Sequence, residues 1–416
     1  MQMSLFDGDK PFKVNKPLRL ITLFSGYDSQ ALALKYLGVP FEHYRTCEWA
    51  IPSIQALKDL HFEDDDTDYS VGMSKTELVE TLYTAGVSAD YNVPLTKAQL
   101  QRYGEGKLRT IYNNIRACHN LVSICNAKGD DLGIKETDKY CYLLTYSFPC
   151  QDLSAAGLGK GMERGSGTRS GMLWEVERLL KETKELPQVL LMENVKQVIG
   201  QKNIKAFAEW VAFLDELGYH SKWQVINATD FSIPQNRERC FMVSVLGNHY
   251  YEFPKVIGNK LQLKDVTERY DFIRGVEMKE YQLSGKMKKY INSYDDRYIV
   301  NNNALTLNKE IAPAITTREG CARADCCSYI SDELPQNYNI ANKDITPYRI
   351  RKLTERECGR LMGVKDDDIA KIGKNLSRSA QYHMFGDSIV TSCLMAIFGK
   401  MLDVDYESKI KELNNR

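Results

Sequence analysis

Tyr140-Cys141-Tyr142-Leu143-Leu144-Thr145-Tyr146 is an apolar run of strand-favouring residues, and it stops at Ser147-Phe148-Pro149-Cys150-Gln151. Proline has no N–H for a sheet ladder, so Pro149 marks the end of a strand. A cysteine at the C-terminal end of a strand in an open α/β sheet faces the crevice where ligands bind. The plainer alternative is a packing residue, because free cysteines are among the most buried of all. The neighbours of Cys150 argue against it. Gln151 and Asp152 are polar, and Ala155-Ala156-Gly157-Leu158-Gly159-Lys160-Gly161 is too glycine-rich to fill a core. A loop from Cys150 to Gly171 is the expectation.

Working outward, Leu18-Arg19-Leu20-Ile21-Thr22-Leu23-Phe24 reads as a first strand, Ser25-Gly26-Tyr27-Asp28-Ser29 as a tight turn, and residues 30–37 as a helix. A second strand ends near Thr46-Cys47-Glu48-Trp49. An acid about twenty residues beyond a glycine turn suits recognition of a ribose, so Glu48 is a cofactor candidate against the alternative of a surface glutamate. Residues 52–118 read as a helical insertion. They begin with Glu63, Asp64, Asp65, Asp66 and Asp68 and carry helix-start signatures at Ser74/Glu77 and Thr96/Gln99. A solvated decoration is expected there.

Downstream of the cysteine loop, residues 172–182 are helical. Pro187-Gln188-Val189-Leu190-Leu191-Met192 is continuous enough for a buried parallel strand, ending in Glu193-Asn194-Val195. Ile204, Phe207, Val211, Leu214 and Leu217 recur at helical spacing before Gly218, and strands follow at residues 221–228 and 240–246. The alternation specifies an α/β, doubly wound sheet. From about residue 250 to 345 this rhythm gives way to short β-like runs rich in Asn and Tyr. These residues are expected to form a smaller, loop-rich second domain inserted into the first. Helical patterning resumes at Thr354-Glu355-Arg356-Glu357 and again over residues 388–402. The expected division is 1–249 and 346–416 for the first domain and 250–345 for the second.

Composition sets limits on all this. The 416 residues balance 55 basic against 55 acidic side chains, so net charge gives no sign of nucleic acid and any DNA site must be a local patch. Eleven cysteines, odd in number and scattered, lack CxxC pairs or histidines at metal spacing. They read as reduced thiols with no metal; the closest cluster, Cys321, Cys326 and Cys327, has no fourth ligand. There is no apolar run of about 18 residues and no apolar signal core, so a cytoplasmic protein without membrane contact is expected.

Four words fall in order at predicted strand ends: Phe24-Ser25-Gly26, Glu48-Trp49, Pro149-Cys150-Gln151 and Glu193-Asn194-Val195. With Gln235-Asn236-Arg237-Glu238-Arg239, Arg349-Ile350-Arg351-Lys352-Leu353-Thr354-Glu355-Arg356-Glu357 and Phe385-Gly386-Asp387-Ser388-Ile389-Val390, the chain resembles the DNA (cytosine-5) methyltransferases over nearly its whole length. The resemblance implies a Rossmann-like S-adenosylmethionine-dependent methyltransferase sheet with an inserted target-recognition domain. It implies transfer of a methyl group from S-adenosylmethionine to carbon 5 of a flipped-out cytosine in a short specific sequence of double-stranded DNA. A monomer is expected, with any cognate restriction endonuclease a separate protein.

The chemistry of the residues agrees with the resemblance. Carbon 5 of cytosine is a poor nucleophile until a group adds at carbon 6, and a thiolate is the side chain best able to add there. Cys150 is the expected attacker. Glu193 is expected to hold N3 and the exocyclic amine, with a helix-capping carboxylate as its plainer alternative, and Arg239 the O2 where charge develops. Arg237 is expected to order the cysteine and phosphate contacts. For the cofactor the resemblance implies Phe24 and Trp49 about the adenine, Glu48 on the ribose, and Ser25, Gly26, Tyr27, Pro149, Met172, Asp387 and Ser388 lining the rest. For DNA it implies Gln151, Ser154, Gln235 and the Thr316-Thr317-Arg318 segment, with Lys286, Lys288 and Lys289 as candidate phosphate contacts against the plainer reading of a solvated face.

Three departures from the family pattern stand out. The first turn has fewer glycines than usual, and Asp28 within it is expected to crowd the methionine carboxylate. The acid expected after the third strand is missing, since Asn120-Leu121-Val122-Ser123-Ile124 carries serine in its place, leaving Asp130 or Asp131 as substitutes. Asp387 and Glu355 replace a usual asparagine and proline. Two rival readings remain: a tRNA cytosine-5 methyltransferase, whose Cys-Phe-Thr signature is absent here, and a catalytically impaired DNA- or cofactor-binding protein.

Overall fold

Six strands form the central sheet of the protein, seen in a computed structural model that describes residues 10–150, 153, 161–268, 280–292, 306–321, 327–340 and 343–414. They are β1 (Leu18–Leu23), β2 (Phe41–Cys47), β3 (Cys141–Tyr146), β4 (Val189–Val195), β5 (Tyr219–Asn227) and β6 (Glu238–Leu246), in the order β2-β1-β3-β4-β6-β5. β1 runs parallel to β2 and β3, and β3 to β4, whereas β4 and β6 are antiparallel. Every residue of β3 and β4 is buried, which is why both read as continuous apolar runs rather than alternating ones. The chain moves from β1 outward to β2 and then returns to the other side of β1 for β3. That reversal opens a crevice beyond the carboxyl ends of β1 and β3, where the glycine turn and Cys150 lie.

The helices start and stop where side-chain chemistry dictates. Asp28 caps α1 (Ser29–Leu37), accepting from the Ala31 N–H, and Gly38 ends it in the left-handed region. α6 (Leu173–Glu182) and α7 (Ile204–Glu216) lay Val176, Leu180, Phe207, Trp210 and Leu214 in the same apolar cluster as Leu144, Leu190 and Met192 of the sheet.

The insertion is helical as expected, with α2 (Ile51–His61), α3 (Lys75–Ala85), α4 (Lys97–Gln101) and α5 (Glu105–Ala117). The capping boxes at Ser74/Glu77 and Thr96/Gln99 are both formed. It is more than a solvated decoration. Its helices enclose their own core of Ile54, Leu78, Leu82, Leu100, Leu108 and Ile111, against which Trp49 packs. The acidic residues that signalled exposure sit in the connection before α3, while the apolar positions of the helices are buried.

The chain divides into two compact units. One comprises Met1–Ile226, Glu238–Lys255 and Leu394–Lys409, and the other Asn227–Arg237, Val256–Cys393 and Ile410–Arg416. The first unit therefore resumes at Leu394 rather than at the expected 346. Ile345 and Ile350 join Leu283, Leu307, Tyr329 and Ile340 in the core of the second unit, and Arg351–Lys352 pairs with Tyr329–Ile330. The bidentate pair of Arg351 with the fully buried Glu357 ties helix Glu355–Leu361 to that strand. Among the described residues no single helix is long and apolar enough to cross a membrane.

Candidate active site

Cys150 is half-buried at the edge of the sheet's core cluster and is in no disulfide. The two carbonyls that precede it are each held by a side chain. Asn194 Nδ2 donates to the Phe148 carbonyl at 2.9 Å, and Ser170 Oγ donates to the Pro149 carbonyl at 2.7 Å. Beyond it, the Leu153 N–H donates to the Cys150 carbonyl at 2.9 Å while the Leu153 side chain is buried in the core. The thiols within β3 and β6 are different in kind. Burial pushes Cys141 up to about 11, and burial together with the Glu193 charge pushes Cys240 up to about 12. Both are inert packing residues.

Glu193 and Arg239 are placed by strand register. Val195 of β4 stands opposite Arg239 of antiparallel β6, so Glu193, two residues back, shares a face with the arginine. Arg239 Nε lies 3.3 Å from Glu193 Oε1, with side chains 19% and 10% exposed. The pair is shielded enough to interact and open enough to reach a substrate. The alternative of a helix-capping role for Glu193 fails, because its carboxylate meets Arg239 and helix α7 begins only after Asn203.

At the first strand end the backbone wraps tightly. Phe24, at φ 60°, donates its N–H to the Cys47 carbonyl at 2.8 Å, and Ser25 Oγ donates to the Thr22 carbonyl at 2.8 Å. Glu48 stands across the turn, with Oε2 accepting from the Gly26 N–H at 2.9 Å and Oε1 from the Ala50 N–H at 2.7 Å. Asn120 braces it, accepting from the Glu48 N–H and donating to the Glu48 carbonyl, both at 2.9 Å. A Cβ built on Gly26 would meet nothing within 4 Å, so the space before the turn is open. Phe24 and Trp49 remain half-buried there. The open turn, the carboxylate at the second strand end and the aromatic faces fit an adenosyl group carrying a sulfonium.

Two expectations about this turn need correction. Asp28 does not crowd the crevice. At φ 60° its fully buried side chain points inward, Oδ1 accepting from the Ala31 N–H at 3.0 Å and Oδ2 from Thr22 Oγ1 and His43 Nε2, each at 2.8 Å. Burial pushes its carboxyl up, but the charge and hydrogen bond of His43 outweigh this and hold it below the usual range. Tyr27 is 1% exposed, so its ring belongs to the core and only its backbone belongs to the turn.

Asp130 and Asp131 do not replace the missing third acid. Asp131 caps the short 3-10 turn Gly129–Leu132, and Asp130 faces Lys184, just past the C-terminus of α6. α6 starts at the far end of the cysteine loop, so they are about 15 Å away along that helix. The Asn120-Leu121-Val122-Ser123 frame does sit beside β2, bridged from Asn120 to Thr46. Met172 lies before α6 with Sδ 3.7 Å from Cys125 Sγ.

In the second unit, the expected DNA contact Gln235 and the expected catalytic residue Arg237 are structural. Gln235 is fully buried. It donates to the Leu361 carbonyl at 2.8 Å and accepts from the Ile315 N–H at 2.9 Å. Arg237, 3% exposed, donates to the carbonyls of Ile315, Gly386 and Ser388 at 2.9, 2.9 and 2.7 Å. Both side chains close a brace under Thr316-Thr317-Arg318 and are buried away from any phosphate. A Cβ at Gly386 would come within 2.2 Å of the Thr317 nitrogen, so only glycine lets that segment lie on its helix. Thr316 and Thr317 are half-buried and Arg318 is exposed. Asp387 pairs with His383 at 3.3 Å. Lys288 is committed to the Thr346 and Tyr348 carbonyls, whereas Lys286 and Lys289 ride on the helix Gly285–Asn292. Gln151 and Ser154 lie outside the described residues.

Comparison with known proteins agrees with this architecture. Residues 104–403 match the family model of C-5 cytosine-specific DNA methylase. The orphan methyltransferase M.SssI of Spiroplasma monobiae is 31% identical over 398 residues, covering 93% of this chain and 97% of that protein. The type II methyltransferase M2.ScrFI of Lactococcus lactis subsp. cremoris is 29% identical, covering 92% and 99%. Among solved structures, the S. pombe Dnmt2 methyltransferase superposes with a TM-score of 0.61 at 16% identity, over 93% of this chain and 98% of that one, a likeness of fold. The chain belongs to the C-5 cytosine-specific DNA methylase family, enzymes that move a methyl group from S-adenosylmethionine to carbon 5 of cytosine in DNA.

Proposed function

We propose that Cys150 is the nucleophile of this methyl transfer, attacking carbon 6 of a cytosine swung out of a short specific duplex sequence. The observation that carries the reading is the Glu193–Arg239 pair, Glu193 on the strand next to the one that leads into Cys150 and Arg239 on the strand beyond it. A base stacked in a duplex cannot reach a thiol in a crevice, so it must leave the helix. Thiolate addition at carbon 6 pushes electrons toward N3 and O2 and makes carbon 5 enamine-like. Glu193 holds N3 and the exocyclic amine, and the Arg239 guanidinium meets the charge on O2 without exchanging its own proton. S-adenosylmethionine, when bound, supplies the electrophilic methyl group. Phe24, Trp49, Glu48 and the Gly26 turn hold it by aromatic contact and by the ribose hydroxyls. Loss of the carbon 5 proton and expulsion of the thiolate then restore the ring. Asp387 and Ser388 keep a cofactor role on the resemblance alone, as Thr316, Thr317 and Arg318 keep a DNA role.

The test is expression in a host without cytosine methylation, followed by conversion sequencing. Methylated cytosines in one short shared context are expected. Cys150→Ser is expected to abolish them while leaving DNA binding intact, and Glu193→Gln to lower turnover at least about a hundredfold. Methylation by the Cys150→Ser protein would remove the covalent route.

A further inference from the structure

The residue that fixes the last turn before Cys150 is not in any of the words that announced the site. Ser170 is fully buried and lies in the short 3-10 turn Arg169–Met172, at the far end of the loop that leaves Cys150. Its hydroxyl donates to the Pro149 carbonyl at 2.7 Å, so one hydrogen bond joins the two ends of that loop directly behind the thiol. The turn carrying it is itself held. Thr168 Oγ1 accepts from the Gly171 N–H at 3.1 Å and donates to the Gly161 carbonyl at 3.1 Å. Next door, Arg169 Nη2 donates to Asn92 Oδ1 at 3.0 Å, reaching the helical insertion. Asn92 belongs to a segment that also grips the cofactor wall: the Ser88 N–H donates to the Trp49 carbonyl and the Ile51 N–H to the Ser88 carbonyl, each at 2.8 Å.

We propose that Ser170 is a positioning residue for the nucleophile: it locks the Pro149–Cys150 peptide so that the thiol stays on line with carbon 6. The inference rests on Cys150 being the attacking group. Proline at 149 has no N–H to anchor its own peptide, so the carbonyls of Phe148 and Pro149 are what remain, and Asn194 and Ser170 take one each. A buried hydroxyl with one acceptor is a directional tie, and misplacement of a reacting atom lowers rate far more than it lowers binding.

The experiment isolates the attack from methyl transfer. Addition of the thiolate at carbon 6 makes carbon 5 basic; water protonates it, and loss of the original carbon 5 hydrogen with expulsion of the thiolate regenerates cytosine. Release of tritium from DNA carrying 5-tritiated cytosine, with no cofactor present, therefore reports Cys150 alone. Ser170→Ala is expected to slow that release and kcat by about tenfold, with DNA affinity and the KM for S-adenosylmethionine within about twofold of wild type. If that variant fails to fold, Ser170→Cys, nearly the same size and a weak donor, is expected to give a rate between wild type and a tenfold loss. Wild-type release from a variant lacking the hydroxyl, or a loss matched by equally weakened DNA binding, overturns the inference. Cys150→Ser is run beside it. Tritium release by that protein removes the nucleophile assignment itself, whereas an inert Cys150→Ser with a fully active Ser170→Ala removes only the role of Ser170.

Discussion

Arg237 and Arg239 are two residues apart in one sequence word, and the structure gives them opposite employment. Arg239 meets the Glu193 carboxylate through Nε, donates from Nη1 to the Glu238 carbonyl at 2.8 Å, and keeps 19% of its side chain exposed. Arg237 is 3% exposed and ends on three backbone carbonyls that close the brace under Thr316 and Thr317. A buried arginine whose terminal nitrogens end on backbone carbonyls holds a fold together; one that faces a strand-end carboxylate and keeps part of its surface open is available to a substrate. What separates the two is how deeply each side chain is buried. Residue type and motif membership are the same.

Substitution at the two positions should therefore fail in different ways. Arg239→Ala is expected to lower kcat by about 10²–10³-fold, about 3–4 kcal/mol, because a preorganised donor to developing charge is removed. Its unfolding midpoint should stay near that of wild type, since the partner Glu193 retains access to water. Steady-state kinetics beside thermal unfolding separates the two effects, and a large loss of stability with intact kcat would reverse the contrast. Arg237→Met keeps the bulk but leaves the Ile315, Gly386 and Ser388 carbonyls without their donor. A loss of about 2–3 kcal/mol of stability is expected, read by urea unfolding. Unaltered stability with lost DNA methylation would return Arg237 to the chemistry.

The same accounting explains which parts of the molecule were legible beforehand. The sheet was, because β3 and β4 are buried on both faces and cannot be written without continuous apolar runs. The helix starts were too, since Ser74/Glu77, Thr96/Gln99 and Thr354/Glu357 are local devices whose partners are three residues apart. Cys150 and Glu193 could be singled out because each follows or ends a strand that the periodicity had already located, whereas Arg239 was named by the family resemblance alone. Side-chain direction could not be read this way. Asp28 looks like an obstacle in the turn until its positive φ turns the carboxylate inward toward His43, a residue of the next strand. Gln235 and Arg237 look like nucleic-acid donors until residues far along the chain supply their acceptors. Among the described residues the second unit's strands are only two residues long, such as Ala312–Pro313 against Gln235–Asn236, and a pair of that length leaves no period to read. Ser170 left no trace at all, since a serine in a polar loop is ordinary.

Behind the cofactor turn lies a third case, smaller in energy, that sharpens the distinction between committed and available groups. His61 Nε2 lies 2.9 Å from the Tyr27 carbonyl and 3.1 Å from that of Asp28; carbonyls only accept, so this nitrogen carries a proton and the ring is complete when neutral. Burial, reinforced by the positive charge of His43, lowers His61 to about 4, against the nearby Asp28 carboxylate that favours the charged ring. In the unfolded chain the same ring titrates near about 6.5. Between these values the unfolded state binds more protons than the folded one, so stability is complete above pH about 6.5 and falls as the pH drops toward 4. The full shift corresponds to roughly 3 kcal/mol, lost progressively over that range. Urea unfolding from pH 7 down to pH 4.5 should show this decline, and His61→Gln, which keeps a donor for the two carbonyls but does not titrate, should flatten it. An unchanged slope in that variant would mean that His61 is as available to water as Arg239 is, and that the turn is held by Asp28 and His43 without it.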